Sequence, residues 1–196
     1  MNIWTTILYL GDSYFCRSGI HAEPSLDLML SEALRRKTCD RQYWAVNALY
    51  QEGGTLATLL GNSYALMRGS NESYAVFVTP GFADLLNRVP IGIQERNLRQ
   101  ISHLATVFNK RLLGVKLGCP QGVSAEIGKE VAAINDITEA VISECSGELV
   151  DLTGLEYLPW EDSIGSRPVD MEEVAACMAE AVLNSHSGIQ RWRDQN

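Results

Sequence analysis

The stretch Ile7-Leu8-Tyr9-Leu10-Gly11-Asp12-Ser13 decides the fold, because an unbroken apolar run ends there in a Gly-Asp-Ser turn. A short apolar run bounded by glycine is typical of a strand that is buried on both faces of a parallel sheet. In open α/β sheets the ligand site lies just beyond the carboxyl ends of the strands. The Ser13 hydroxyl is therefore predicted to stand at a functional rim. A second interpretation stays open, in which Asp12 and Ser13 only stabilise the turn through local hydrogen bonds.

Outward from this run, the chain alternates apolar strand-like runs with segments of helical periodicity. Further strands are predicted at 42–47, 74–79, 112–117 and 148–152. Helices are predicted at 24–37, from about 56 with an apolar face at 56–60, after Pro90 with an inner face over 98–108, at 124–145 and at 170–183. This alternation indicates βαβ units. Right-handed crossovers then produce a flavodoxin-like, doubly wound, three-layer α/β/α sandwich with a mainly parallel five-stranded sheet.

Length and composition indicate one globular domain. The chain has 196 residues, 46% of them hydrophobic and 20% charged, which is an ordinary composition and enough for a substantial core. No linker rich in Gly, Ser or Pro divides it. A single domain is therefore predicted over 1–184, followed by a polar tail over 185–196.

The net charge of −8 argues against a nucleic-acid partner, because phosphate binding needs a concentrated basic surface and the basic residues here are dispersed. No apolar stretch approaches the ~18 to 20 residues of a membrane span, and the apolar start of the chain is interpreted as a strand and not as a signal peptide. The five cysteines are widely spaced and form no zinc pattern, which favours free thiols in a reducing cytoplasm.

Polar residues follow several predicted strands and share one rim. They are Gly11-Asp12-Ser13, then Asn47 with Gly53-Gly54-Thr55, then Gly81-Phe82-Ala83-Asp84, and finally Glu161-Asp162 before the last helix. Their order resembles the SGNH (GDSL-type) hydrolases, a family of esterases, lipases and carbohydrate acylhydrolases. The resemblance covers nearly the whole chain, from 3 to 183, and includes the mid-helix Ile134-Asn135 pair. It implies the α/β fold and an activity on acyl esters.

The resemblance also implies roles for individual residues. Ser13 corresponds to the nucleophile, and Asp162 corresponds to the acid that orients a histidine three residues later. The backbone N–H groups of Ser13 and of Gly53 or Gly54 would face a developing oxyanion, an interaction typically worth ~3 to 4 kcal/mol per donor. By the same resemblance, the remaining residues that line the substrate-binding site are Asn47, Gly81 and Asp84.

Two positions depart from the family pattern. The catalytic-loop histidine falls on Gly165, and the Asn of the Gly-x-Asn-Asp motif falls on Ala83. A serine hydroxyl needs an adjacent base, so the loss of the histidine removes the usual activation. His21, in the loop after Ser13, is one candidate base, since imidazole titrates near a pKa of ~6.5. The alternative is that His21 is a solvent-exposed loop residue.

Two functions therefore stay open. The first is a serine hydrolase or acyl transferase that acts on a lipid, carbohydrate or small-molecule ester with a non-standard or incomplete catalytic apparatus. The second is an inactive member that binds a ligand or partner in the same cleft, because a fold alone does not establish activity. No cofactor or metal is predicted, since the glycines lack the spacing of a phosphate-binding loop or a dinucleotide turn. The oligomeric state is not indicated.

Overall fold

The fold is a five-stranded parallel sheet between two layers of helices. A computed structural model describes residues 3–12, 25–38, 42–51, 54–69, 73–80, 82–161, 166 and 168–194. The strands are β1 (Ile3–Asp12), β2 (Gln42–Gln51), β3 (Ser73–Val78), β4 (Arg111–Lys116) and β5 (Glu148–Asp151). They lie in the order β2-β1-β3-β4-β5, and all neighbours are parallel. The predicted fold class is confirmed.

The described residues form six helices. They are α1 (Leu26–Lys37), α2 (Leu56–Gly69), α3 (Phe82–Leu86), α4 (Ile91–Val107), α5 (Ala125–Glu144) and α6 (Met171–Asp194). Helices α1 and α6 pack on one face of the sheet, while α2, α4 and α5 pack on the other. The short α3 follows the carboxyl end of β3, at the rim where the site was predicted.

Alternate residues of each inner strand enter two separate cores, which explains why the strands read as continuous apolar runs. In β1, Ile7 and Tyr9 belong to the core under α1 and α6, whereas Leu8 and Leu10 belong to the core under α2 and α4. All four side chains are at most 2% exposed. The sheet is therefore buried on both faces around β1, as the first stretch predicted.

Several element boundaries differ from the sequence prediction, and two of them concern the rim and the last helix. Strand β2 continues to Gln51, because its residues stay paired with β1 along the whole strand and no glycine follows before Gly53. Helix α6 does not end at residue 183 but continues to Asp194, so most of the predicted polar tail is helical. No proline or capping glycine directly follows Leu183 to stop the helix.

Uncharged side chains pack against the residues that follow β4. Asn135 of α5 accepts a hydrogen bond from the Leu117 N–H at 2.8 Å and donates one to the Leu117 carbonyl at 2.7 Å. A Cβ atom on Gly118 would collide with the ring of Tyr157, which lies directly against that glycine. These contacts fix the carboxyl end of β4 against α5 and against the loop that follows β5.

Candidate active site at the carboxyl end of the sheet

The ends of β1 and β2 lie side by side. Gly11 pairs with Tyr50, and Asp12 pairs with Gln51, so the two strands leave the sheet at the same level. Neighbouring strands are ~4.8 Å apart. The residue that follows Asp12 is Ser13, and the turn that follows Gln51 contains Gly53. Because of this register, the predicted site segments at Ser13 and Gly53 follow adjacent strand ends.

Asp84 ties the turn after β3 to the start of α2. Its carboxylate is buried, with 1% of the residue exposed, and Oδ2 accepts a hydrogen bond from the Leu56 N–H at 2.8 Å. The first N–H groups of a helix lack intrahelical partners and attract negative charge, which favours this arrangement. Thr55 also caps α2, since its Oγ1 accepts a weak hydrogen bond from the Thr58 N–H at 3.4 Å. The buried Gly54 directly precedes these two residues.

An aromatic contact joins the loop after β5 to the turn after β3. The ring of Trp160 packs edge-on against Phe82, with the ring centroids 5.5 Å apart. Tyr157 makes a similar contact with Phe82 at 6.1 Å. Trp160 stands two positions before Asp162, and Phe82 directly follows Gly81. The described neighbours of these two predicted site residues are therefore in contact.

Tyr9 packs against Gly11 near the carboxyl end of β1, a contact that the sequence pattern did not reveal. The strand continues through Gly11 and Asp12, so the predicted turn does not begin at Gly11. The Tyr9 hydroxyl donates a hydrogen bond to Thr79 Oγ1 at 2.8 Å in the interior. A Cβ atom on Gly11 would collide with the Tyr9 ring, so the close approach requires glycine at that position. The signal that would have indicated this contact is a hydroxyl-bearing aromatic residue two positions before a glycine.

A cavity of about 840 Å³ opens beside Trp160, between the α3–α4 connection and the start of α5. Its charged lining is mixed, with Arg88 and Lys129 on one hand and Glu126 and Glu130 on the other. Arg88 adopts a left-handed backbone conformation with φ of 50°, which is uncommon for residues other than glycine. The other lining residues are Leu85, Leu86, Val89, Pro90, Ile91, Gln94, Ser124, Ile127 and Ala133.

Gln94 contributes a buried acceptor to this cavity wall. Its Nε2 donates a hydrogen bond to the Val89 carbonyl at 2.7 Å, which fixes the orientation of the amide. Its Oε1 has no hydrogen-bond partner among the described residues, although Gln94 is only 3% exposed. A buried acceptor without a partner lowers the stability of the folded state.

The sequence matches no family model and no curated protein. Solved structures do match. The SGNH-hydrolase family esterase AlinE4 matches with a TM-score of 0.65 and 21% identity, over 76% of this chain and 77% of its own. TesA matches with a TM-score of 0.65 and 19% identity, over 91% of this chain and 96% of its own. The chain has the SGNH-hydrolase fold.

A third structure with the SGNH-like arrangement is the lipase/acylhydrolase from Enterococcus faecalis, with a TM-score of 0.66 and 16% identity. It covers 93% of this chain and 95% of its own length. The similarity to these structures establishes the fold, and the activity has to be argued from the site itself.

Several residues predicted for the SGNH-type site lie outside the described residues: Ser13, His21, Gly53, Gly81 and Asp162. The described site residues are Gly54, Asp84 and Asn47; Asp84 bonds to Leu56, two positions after Gly54. Asn47 is exposed in the middle of β2, where it pairs with Leu8, and it is not at the carboxyl end of the strand. The position of Asn47 within the strand is thus a correction, whereas its role in the site stays a prediction.

Among the histidines, the structure describes the side chain of His103. It is exposed on α4, away from the apolar side of that helix. Ala83 is fully buried in α3, so the position where the family pattern has Asn holds a methyl group without a donor. No cluster of metal-ligating side chains occurs within the described ranges. Nor does any helix of the described chain have the length and apolar character that a bilayer crossing requires.

Proposed function

We propose that this protein is an ester hydrolase or acyl transferase of the SGNH kind, with Ser13 as its nucleophile. The single observation that supports it best is the β1–β2 register. Pairing up to Asp12 and Gln51 starts the Ser13 turn and the Gly53 turn from neighbouring strand ends. The Asp84–Leu56 hydrogen bond and the Phe82–Trp160 contact also support the proposal, because they join elements that flank the remaining predicted site segments.

In the proposed reaction, Ser13 Oγ attacks the ester carbonyl carbon while a base takes the hydroxyl proton. The carbonyl oxygen becomes an oxyanion that accepts hydrogen bonds from the Ser13 N–H and from the N–H of Gly53 or Gly54. Collapse of this intermediate expels the alcohol, which receives the proton, and leaves an acyl ester on Ser13. Water in a hydrolase, or a second alcohol in a transferase, then attacks the acyl carbon and regenerates Ser13.

The base in this proposal is not the histidine of the family pattern, whose position is Gly165. We assign the role to His21, with Asp162 as the acidic partner that assists it. An imidazole with a pKa near ~6.5 is suited to accept the Ser13 proton at neutral pH. A catalytic apparatus of this kind is non-standard, and we expect slower turnover than in a complete triad.

The cavity beside Trp160 is the proposed binding site for the acyl or alcohol part of the substrate. Its walls combine Trp160 with charged side chains of both signs. A polar substrate, such as a carbohydrate or small-molecule ester, suits a lining of this kind better than a hydrocarbon chain does. A cytoplasmic location remains a prediction, supported by Cys119, Cys145 and Cys177 as free thiols.

A second candidate function is a binding module without turnover. The buried methyl group of Ala83 favours it, because an oxyanion donor of the family pattern is absent at that position. In this version the cavity and the rim bind the same kind of small ligand, and Ser13 contributes only its turn hydrogen bonds. The two candidates differ in one measurable property, the formation of an acyl or phosphonyl bond on Ser13.

The test is to incubate the protein with a fluorophosphonate probe and with a short-chain aryl ester at pH values from about 5 to 9. Labelling and turnover that disappear in Ser13→Ala, and fall strongly in His21→Ala, support the enzyme. Ser143→Ala is the matched control, since Ser143 is exposed near the far end of α5. An absence of labelling over the whole pH range contradicts the enzyme and favours the binding module.

A further inference from the structure

The connection between α3 and α4 holds Arg88 in a backbone conformation that suits glycine better. Its φ is 50°, in the left-handed region. The Val89 N–H donates to the Asp84 carbonyl at 2.9 Å, and the Arg88 N–H donates to the Leu85 carbonyl at 2.9 Å. These two hydrogen bonds form a Schellman motif, which places one left-handed residue just after a helix. Glycine is the usual residue there, because a Cβ atom disfavours the left-handed conformation.

Two other helices end in the same way and allow a comparison. After α4 the left-handed residue is Asn109, with φ of 52°, and after α5 it is Ser146, with φ of 53°. In both turns the next N–H donates to a carbonyl of the helix at 2.8 Å. Asn tolerates this conformation better than most residues, and Ser is small and uncharged. Arg88 alone of these three carries a long charged side chain, and the turn itself does not account for it.

Arg88 lines the cavity beside Trp160 that we propose as the substrate-binding site. Its side chain is exposed, and within the part of the chain that the structure describes its guanidinium forms no ion pair. This holds although Glu126 and Glu130 line the same cavity. The guanidinium is therefore available to a ligand, and its planar fork binds a carboxylate through two parallel hydrogen bonds.

The two glutamates of the cavity have a simpler explanation than Arg88. Both belong to the regular helix α5, where glutamate is a good helix former. Glu126 also lies in the first turn, where the helix dipole favours a negative charge. Lys129 adds a second cation to the lining. The position that local structure leaves unexplained is thus a cation, which favours an anionic group on the ligand.

We propose that Arg88 determines substrate specificity by pairing with a carboxylate carried by the ester substrate. This inference rests on the proposed function, because it assigns a substrate class to the same site. Phe82 follows the predicted site residue Gly81, and Arg88 lies six residues after Phe82, which corresponds to about 9 Å at the rise of a helix. The substrate carboxylate is therefore separated from the ester carbonyl by a chain of several atoms.

The test compares the para-nitrophenyl ester of hexanoic acid with the para-nitrophenyl monoester of adipic acid, which carries a carboxylate at the far end of its acyl chain. In the wild-type protein the adipate monoester should have a KM at least about tenfold lower than the hexanoate ester. In Arg88→Gly this preference should disappear through KM, with kcat unchanged, because Arg88 binds a part of the substrate that does not react. The Tm of Arg88→Gly should rise by about 2 to 4 °C, because glycine relieves the backbone strain.

Ser146→Gly is the matched control. It makes the same kind of change at the other end of α5, about 20 Å along the helix axis from Ala133, the last cavity residue of that helix. Its Tm should rise as well, while the ratio of the two KM values stays at the wild-type value. Arg88→Lys retains the charge without the planar fork and should keep part of the preference. A preference that is lost equally in Ser146→Gly and Arg88→Gly would follow from stability and would overturn the proposal.

Calorimetric binding of the intact esters to Ser13→Ala separates this inference from the proposed function, because no acyl bond can form on alanine. If the fluorophosphonate does not label the wild-type protein, the hydrolase proposal fails. Binding of the adipate monoester that is about tenfold tighter, and that requires Arg88, would still support the carboxylate site. Equal affinity for the two esters overturns it even when Ser13 is labelled. So does tighter binding of the corresponding ester with a terminal ammonium group, because Glu126 and Glu130 would then select the ligand.

Discussion

The two halves of the rim are built from different kinds of buried polar group. Above β4, the neutral amide of Asn135 satisfies both the N–H and the carbonyl of Leu117. Above β1 and β3, the carboxylate of Asp84 reaches across to Leu56 at the start of α2. A neutral, doubly paired amide stabilises a scaffold at low electrostatic cost, whereas a buried carboxylate is favoured where it accepts from the N-terminus of a helix.

The largest expected effect comes from removing the Asn135 hydrogen bonds above β4, in the part of the rim that we call the scaffold half. Asn135→Leu leaves the buried N–H and carbonyl of Leu117 without their partner, which should lower the free energy of unfolding by about 2 to 5 kcal/mol. Urea titration monitored by circular dichroism measures this loss. Because Asn135 does not touch the proposed active site, the labelling rate per folded molecule should stay at the wild-type value. A drop in the labelling rate of the folded fraction would contradict this separation of the two halves.

A substitution at Asp84, in the part of the rim that we call the site half, should have a different effect. Asp84→Ala removes the acceptor of the Leu56 N–H and should cost about 1 to 3 kcal/mol of stability. It should also lower the rate of Ser13 labelling by about 10²-fold, because the Gly54 segment before α2 loses its support. Asp84→Asn is the matched variant, since its side-chain oxygen still accepts the Leu56 hydrogen bond. If Asp84→Ala lost stability alone and kept its labelling rate, Asp84 would be only a structural cap.

A substitution at Tyr9 tests whether its contact with Gly11 at the end of β1 contributes to the site half of the rim. Tyr9→Phe keeps the ring against Gly11 but removes the hydroxyl that bonds to Thr79, which should cost about 1 to 2 kcal/mol. The ring still packs against Gly11 in this variant, so the rate of Ser13 labelling should change less than threefold. Urea titration and probe kinetics on the same preparation compare the two quantities. A large kinetic loss with little change in stability would mean that the hydroxyl positions the turn directly.

These predictions also show which features were accessible from the sequence. Strands and helices were predicted well, because continuous apolar runs and helical periodicity are local signals that the two cores reinforce. The partner of Asp84 was not predicted, because Leu56 lies far away in sequence and the contact depends on how α2 and α3 meet. Asn47 was placed at the rim because the strand was taken to end there. Pairing with β1 carries β2 further and leaves Asn47 at the middle of a strand.

The smallest expected effect is a pH dependence of the free energy of unfolding, caused by Asp151 at the end of β5. Hydrogen bonds from the hydroxyl and the backbone N–H of Thr153 lower the pKa of Asp151 below its ordinary value. A lowered pKa in the folded state means that the stabilisation is complete above the unfolded pKa of ~3.9 and disappears as the pH falls through the folded value. Asp151 is exposed, so solvent screening should limit the contribution to less than about 0.5 kcal/mol.

Asp151→Asn retains an acceptor for Thr153 but does not titrate. The stability difference between the wild-type protein and this variant should therefore shrink between about pH 5 and pH 2 in urea titrations. Thr153→Val removes the hydroxyl donor and should show a weaker pH dependence than the wild-type protein. A difference that grows as the pH falls would contradict the assigned direction, because it would require a carboxylate whose pKa is raised by folding. Such a result would mean that folding destabilises the ionised Asp151 carboxylate.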